Sequence, residues 1–150
     1  MLSSLGSMST RYKRGVVFGV FDRLHDGHRD FLRQASELVD ECVVIVARDG
    51  AVLALKNKKP QESEEARLQS VKAVAGVADV VLGDAEQGAY AVLKSINPDI
   101  ILLGYDQNWL ERDLKEKIAS GALSNISLVR LEAYKSEQFH TSIIQQVEAQ

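Results

Sequence analysis

Short apolar runs alternate along this chain with longer stretches whose apolar residues recur at helical spacing. Val16–Val20 reads as a strand, and Gly27–Leu38 as a helix with Phe31, Leu32, Ala35 and Leu38 on one face. Cys42–Ala47 is apolar without interruption, which predicts a strand buried on both faces. Ser63–Val74 predicts a helix, with Ser63 as N-cap and Glu64 and Glu65 in the first turn, where negative charge suits the helix dipole. A third strand follows at Val80–Leu82. Ala89–Ile96 predicts a short helix stopped by Asn97-Pro98, and Ile100–Leu103 a fourth strand. Asn108–Ala119 is a charged amphipathic helix ending near Gly121, Ser127–Leu131 a fifth strand, and Thr141–Val147 a closing helix. Strand and helix in alternation imply a parallel sheet of five strands with helices on both faces.

One hundred and fifty residues, 45% hydrophobic and 26% charged, fit a single α/β domain of Rossmann-like architecture. Residues 1–14 precede the first strand and read as a flexible extension, leaving 15–150 as the domain. The formal net charge of −3 offers nucleic acid no general attraction, and no long basic run suggests a membrane surface. Any anion site must therefore be local. No apolar stretch is long enough to span a bilayer, and Met1–Thr10 lacks the basic start and apolar core of a signal peptide. The single cysteine, Cys42, cannot form an intrachain disulfide and reads as a small core residue, which fits the cytoplasm.

In open parallel sheets ligands bind beyond the carboxyl ends of the strands. His25 and His28 follow strand one, Lys56, Lys58 and Lys59 follow strand two, Gly104-Tyr105-Asp106-Gln107 follows strand four, and Lys135–Ser142 follows strand five. The first group sits in Gly19-Val20-Phe21-Asp22-Arg23-Leu24-His25-Asp26-Gly27-His28, a strand, loop and helix start. Unpartnered N–H groups and partial positive charge at a helix start favour an anion, and the imidazoles add side-chain donors. Gly27 would let a phosphate approach the backbone closely. Metal ligation is the alternative for the pair, but no cysteine, third histidine or suitably spaced glutamate lies close by, since His140 is far along the chain. Other nucleotide folds fit less well. The first strand lacks Gly-x-Gly-x-x-Gly, and Ala89-Tyr90 follow Gly83 and Gly88 where a P-loop needs Lys and Ser or Thr.

The His-x-Gly-His motif after a strand ending Gly-x-Phe-Asp resembles the cytidylyltransferase-like nucleotidyltransferases. The similarity runs from Val16 to Ile144. It implies transfer of a nucleoside monophosphate from ATP or CTP to a phosphorylated acceptor, with release of pyrophosphate and with magnesium held on the nucleotide phosphates. His25 and His28 would contact the reacting phosphates, and Gly19, Val20, Phe21 and Asp22 would border the triphosphate. Lys56 and Arg67 would neutralise phosphate charge, Lys58 and Lys59 being equally readable as a solvated basic loop. Gly104, Tyr105, Asp106 and Gln107 would meet base and ribose. Lys135 occupies the family's closing basic position, with Thr141 and Ser142 as phosphate contacts and His140 where a small residue is common.

Val44–Asp49, Leu55–Pro60, Asn97–Gly104 with Asp106-Gln107, and Tyr134-Lys135 with Phe139-His140 look most like the small FAD synthases of archaeal type, which transfer AMP from ATP to FMN. A cytidylyltransferase or adenylyltransferase acting on glycerol 3-phosphate, another phospho-alcohol or a sugar phosphate is the alternative. A nucleotide-binding module without turnover is a third reading. Dimerisation is common among relatives, so a homodimer is among the expectations, although no exposed apolar stripe in the sequence points to one.

Overall fold

The computed structural model describes residues 12–86 and 88–133. The closing helix expected at Thr141–Val147 and the candidates Lys135, His140, Thr141 and Ser142 lie outside the described residues. The elements are β1 (Tyr12–Gly19), α1 (Asp26–Leu38), β2 (Val39–Val46), α2 (Asp49–Lys56), α3 (Glu64–Lys72), β3 (Asp79–Leu82), α4 (Ala91–Ile96), β4 (Ile100–Leu103), α5 (Asn108–Ala119) and β5 (Ser127–Arg130).

Among the described residues all strand pairings are parallel, in the order β3-β2-β1-β4-β5. Side chains alternate across the sheet, so Val17, Val44, Ile100 and Leu102 pack with Leu32 and Ala35 of α1 and Leu68 and Val71 of α3. Val16, Ile45, Ile101 and Leu103 pack on the other face with Leu93 of α4 and Leu114 of α5. The expected α/β architecture with helices on both faces is thus observed.

Two boundaries differ from the sequence reading. Tyr12, Lys13 and Arg14, assigned to the extension, belong to β1, where Tyr12 pairs with Val39 and Arg14 with Glu41. Asp99 explains this, because its carboxylate accepts the Lys13 and Arg14 N–H groups, each at 3.1 Å, while the Arg14 guanidinium reaches Glu41 and the Ile96 carbonyl. These partners lie far away in sequence and no local pattern announces them. The second difference is α2, a helix where only a basic stretch was read. Its Asp49 caps the start of α3 by accepting the Glu64 N–H at 3.2 Å, and Glu64 accepts the Asp49 N–H at 2.8 Å in return. Asn57, in the left-handed conformation at φ 56°, ends the helix. Ser63 caps α3 as expected, its hydroxyl accepting the Ala66 N–H at 3.1 Å.

Strand order reverses between β1 and β4, and the two strands pair only at Gly15↔Ile100 and Val16↔Ile101. Beyond those pairs the ladder stops and a crevice opens. Gln107 bridges it: its Nε2 donates to the Phe18 carbonyl at 2.9 Å, and its Oε1 accepts the Gly104 N–H at 2.8 Å. Both backbone groups would otherwise lack a partner at the strand ends. Gln107→Leu should therefore lower stability by about 1–3 kcal/mol, the penalty for orphaned polar groups. Urea denaturation of the purified variant checks it; an unchanged midpoint would remove Gln107 from the frame.

Candidate active site

The crevice widens into a cleft of about 1240 Å³ at the carboxyl ends of β1, β2, β3 and β4. Gly19, Val20, Phe21, Asp22, His25, Gly27, His28, Lys56, Lys58, Lys59, Gly104, Tyr105, Asp106 and Gln107 line it together.

His25 is the N-cap of α1. Its Nδ1 accepts the Gly27 N–H at 3.1 Å, while the Nδ1 of His28 accepts the His25 N–H at 3.2 Å. The rings stack, with centroids 3.7 Å apart and planes 20° from parallel. A nitrogen that accepts an N–H carries no proton, so each neutral ring holds its proton on Nε2. Burial, the neighbouring His25 and the Arg29 guanidinium push the His28 imidazole down to about 4, against an opposing pull from Asp22. At neutral pH the pair therefore includes a neutral imidazole with an Nε2–H donor. The self-capping also engages the Gly27 N–H, the amide that the sequence had offered to a phosphate.

The low His28 value has a pH consequence. A ring that titrates near 6.5 when unfolded takes up its proton before the folded ring does as pH falls. The stability contributed by the neutral ring is complete above about 6.5 and is lost as pH drops through about 4. The added proton must land on Nδ1 and would displace the His25 N–H. Proton-detected titration of His28 should give a midpoint near 4; a midpoint at the ordinary 6.5 would refute this account.

Phe21 and Gly19 explain how the loop is held. Phe21 adopts φ 53°, and its buried ring folds back so closely that a Cβ on Gly19 would lie 2.6 Å from it. That ring meets His28 edge-on at 5.5 Å and stacks with Phe31 at 6.4 Å. Gly19 is thus required by packing of an aromatic ring. Asp22 works through its carboxylate, which accepts the Gln61 N–H at 2.7 Å and the Glu62 N–H at 2.9 Å and so staples the basic segment to the histidine loop. Burial acts to raise this carboxyl, but the two N–H groups, with Arg67 and Arg23, hold it below the usual carboxylate range.

Arg67 is the principal correction. Expected to meet phosphate, it is 0% exposed and does not line the cleft. Its guanidinium donates to the carbonyls of Glu62 at 3.0 Å, Val20 at 2.9 Å and Ala47 at 2.7 Å, and to the Asp49 carboxylate at 2.6 Å. The ends of β1 and β2, the start of α2 and the residue before the α3 cap are thereby joined at one planar group. That guanidinium, helped by the Glu64 N–H, holds the Asp49 carboxyl low against the effect of burial. Gln107 is likewise engaged within the frame by its two bonds. The lysines, by contrast, are exposed at the cleft: Lys56 ends α2, and Lys58 and Lys59 follow.

Sequence reasoning missed Tyr90 and Trp109, which also line the cleft. Tyr90 had only the failed P-loop spacing beside it, and Trp109 looked like one residue of an ordinary helix. Cys42 is buried, with its thiol pushed up to about 11 by that burial, and behaves as the core residue expected. Among the described residues no helix is long and apolar enough to cross a membrane.

Comparisons with known proteins identify the chain's relatives. A FAD synthase of Thermococcus sibiricus is 44% identical, over 89% of this chain and 91% of its own. A FAD synthase of Methanosarcina barkeri is 48% identical, over 73% of this chain and 77% of its own. The crystal structure of a lipopolysaccharide core biosynthesis protein from Thermoplasma volcanium superposes with a TM-score of 0.73 at 35% identity, covering 83% of this chain and 99% of the other. The family model described as cytidylyltransferase-like matches residues 16–147, and the chain belongs to that family.

Proposed function

We propose that this protein is an FMN adenylyltransferase that joins AMP from ATP to FMN, giving FAD and pyrophosphate. The observation that carries the reading is the stacked His25–His28 pair at the switch-point crevice, in a chain 44% identical to a FAD synthase. An oxygen of the FMN phosphate attacks the α-phosphorus of ATP in line, and the bond to the bridging oxygen of the leaving pyrophosphate breaks. No covalent enzyme intermediate is needed. Positioning and electrostatics supply the rate, with Nε2–H donors following the charge that builds on the phosphate oxygens. Lys56 neutralises the triphosphate, with Lys58 and Lys59 beside it. By family resemblance Lys135, Thr141 and Ser142 would close the phosphate site, with His140 as a nucleotide contact particular to this chain. Gly104, Tyr105 and Asp106 receive base and ribose.

Both Asp22 oxygens accept backbone N–H groups, and among the described residues no group of three or more His, Cys, Asp or Glu side chains could hold a metal ion. Magnesium would be held on the triphosphate as its counter-ion, where it would offset charge on the departing pyrophosphate. A single cysteine, with no intrachain disulfide, fits a reducing compartment, and we read the enzyme as cytoplasmic.

The Thermoplasma volcanium relative, named for lipopolysaccharide core biosynthesis, favours a second reading in which the acceptor is a sugar phosphate. Pyrophosphate release with magnesium, with ATP or CTP, and with FMN, glycerol 3-phosphate or a sugar phosphate separates the two. Release with ATP and FMN, together with a product of FAD mass, is expected. Release only with another acceptor would overturn the flavin assignment while keeping the reaction class.

A further inference from the structure

One lobe of the cleft lies on the sheet face covered by α4 and α5, opposite the face on which α1 packs. Phe18 and Ile45 line it, because strand alternation turns them away from Val17 and α1. Behind Phe18 stands Tyr90, with its ring edge-on at 6.2 Å and an interplanar angle of 80°. The Tyr90 hydroxyl donates to Asp113 at 2.6 Å, and the same carboxylate accepts from the Lys117 ammonium at 3.1 Å. That ammonium lies 5.8 Å above the tyrosine ring. Tyr90 also holds φ 58°, a conformation an aromatic residue keeps only when its surroundings impose it.

Trp109 precedes Asp113 by four residues on α5 and therefore stands one turn closer to the helix start. It is 44% exposed and lines the cleft. Phe18 is half-buried and Trp109 exposed, and two aromatic rings with free surface on one cleft suit an apolar ligand. Charge then orients that ligand. Asp84 and Glu86 border the cleft after β3, whereas Lys56, Lys58 and Lys59 border it after β2. A phosphate is repelled by the first edge and drawn to the second.

We infer that this lobe is the acceptor subsite, and that it takes the isoalloxazine ring of FMN against Phe18 and Trp109, with the acceptor's phosphate directed to the histidines. Tyr90 and Asp113 are positioning residues that fix the Phe18 surface. The inference rests on the flavin reading above. The Phe18 and Trp109 rings suit a planar aromatic group.

The test is fluorescence titration of the full chain with FMN alone, beside separate KM values for FMN and ATP. Trp109→Ala should weaken FMN binding and raise its KM about tenfold, with the KM for ATP within about twofold of wild type. Tyr90→Phe keeps the ring but releases Asp113, and should raise the KM for FMN while kcat and the KM for ATP hold. An ATP effect in Trp109→Ala without an FMN effect would assign the lobe to the adenine and overturn the inference, as would no change in either. Wild-type protein that fails to bind FMN would also overturn it. Wild-type protein that binds FMN through Trp109 but forms no FAD would keep the subsite and overturn the catalytic reading instead.

Discussion

Arg67→Met should remove about 3–5 kcal/mol of stability, the usual loss when one partner of a buried, hydrogen-bonded charge is deleted. Methionine fills much of the volume but leaves the Val20, Ala47 and Glu62 carbonyls and the Asp49 carboxylate without their donor. Against the 5–15 kcal/mol of a typical domain, such a loss brings the chain near its unfolding threshold. Arg67→Lys provides the readable companion, since it keeps the charge while its single ammonium cannot span four acceptors arranged for a planar fork. Urea denaturation should show Arg67→Lys destabilised, and the folded fraction should keep a near wild-type KM for ATP. A wild-type midpoint with a raised KM for ATP would return Arg67 to the role of phosphate ligand.

His28→Ala should keep the fold and lower kcat about a hundredfold, equivalent to roughly 3 kcal/mol of transition-state stabilisation. Two effects combine in that variant. The Nε2–H donor disappears, and so does the Nδ1 acceptor that holds the His25 N–H, together with the ring on which His25 stacks. His25 loses its orientation as well, so the double variant His25→Ala/His28→Ala should fall well short of the product of the two single losses. The fold survives because the core beneath α1 is built from Leu32 and Ala35, whereas His28 stands at the helix start. Loss of the hydrogen bond from the His25 N–H to the His28 ring accounts for about 1 kcal/mol of stability. Initial-rate assays and thermal unfolding measured on the same preparation separate the two contributions. Wild-type turnover in His28→Ala would end the assignment of these rings to the reacting phosphates.

The contrast between His28 and Arg67 shows which parts of this site can be read locally. The histidine motif depends on neighbours within three residues, so strand, loop, cap and helix are all encoded in one short stretch. Arg67 finds its partners 5, 18, 20 and 47 residues away. From the sequence a basic residue at that spacing and a phosphate ligand look alike. Burial decides between them, and burial is a property of the assembled sheet. Asp22 and Gln107 follow the same logic, Asp22 reaching the Gln61 and Glu62 N–H groups and Gln107 the Phe18 carbonyl, 39, 40 and 89 residues away.

The sequence by itself determined the alternation of strands and helices, the parallel sheet, the Ser63 and Asn97 helix boundaries and the gathering of the histidines, lysines and Gly104–Gln107 beyond the strand ends, because these follow from periodicity, capping and short-range turn chemistry. Tertiary structure alone decided that Tyr12–Arg14 joins the sheet, that Asp49 and Glu64 cap each other's helices, that Arg67 serves the frame and that Tyr90 and Trp109 border the cleft. Each of those outcomes depends on groups brought together from distant parts of the chain, where desolvation and hydrogen-bond satisfaction outweigh any local preference.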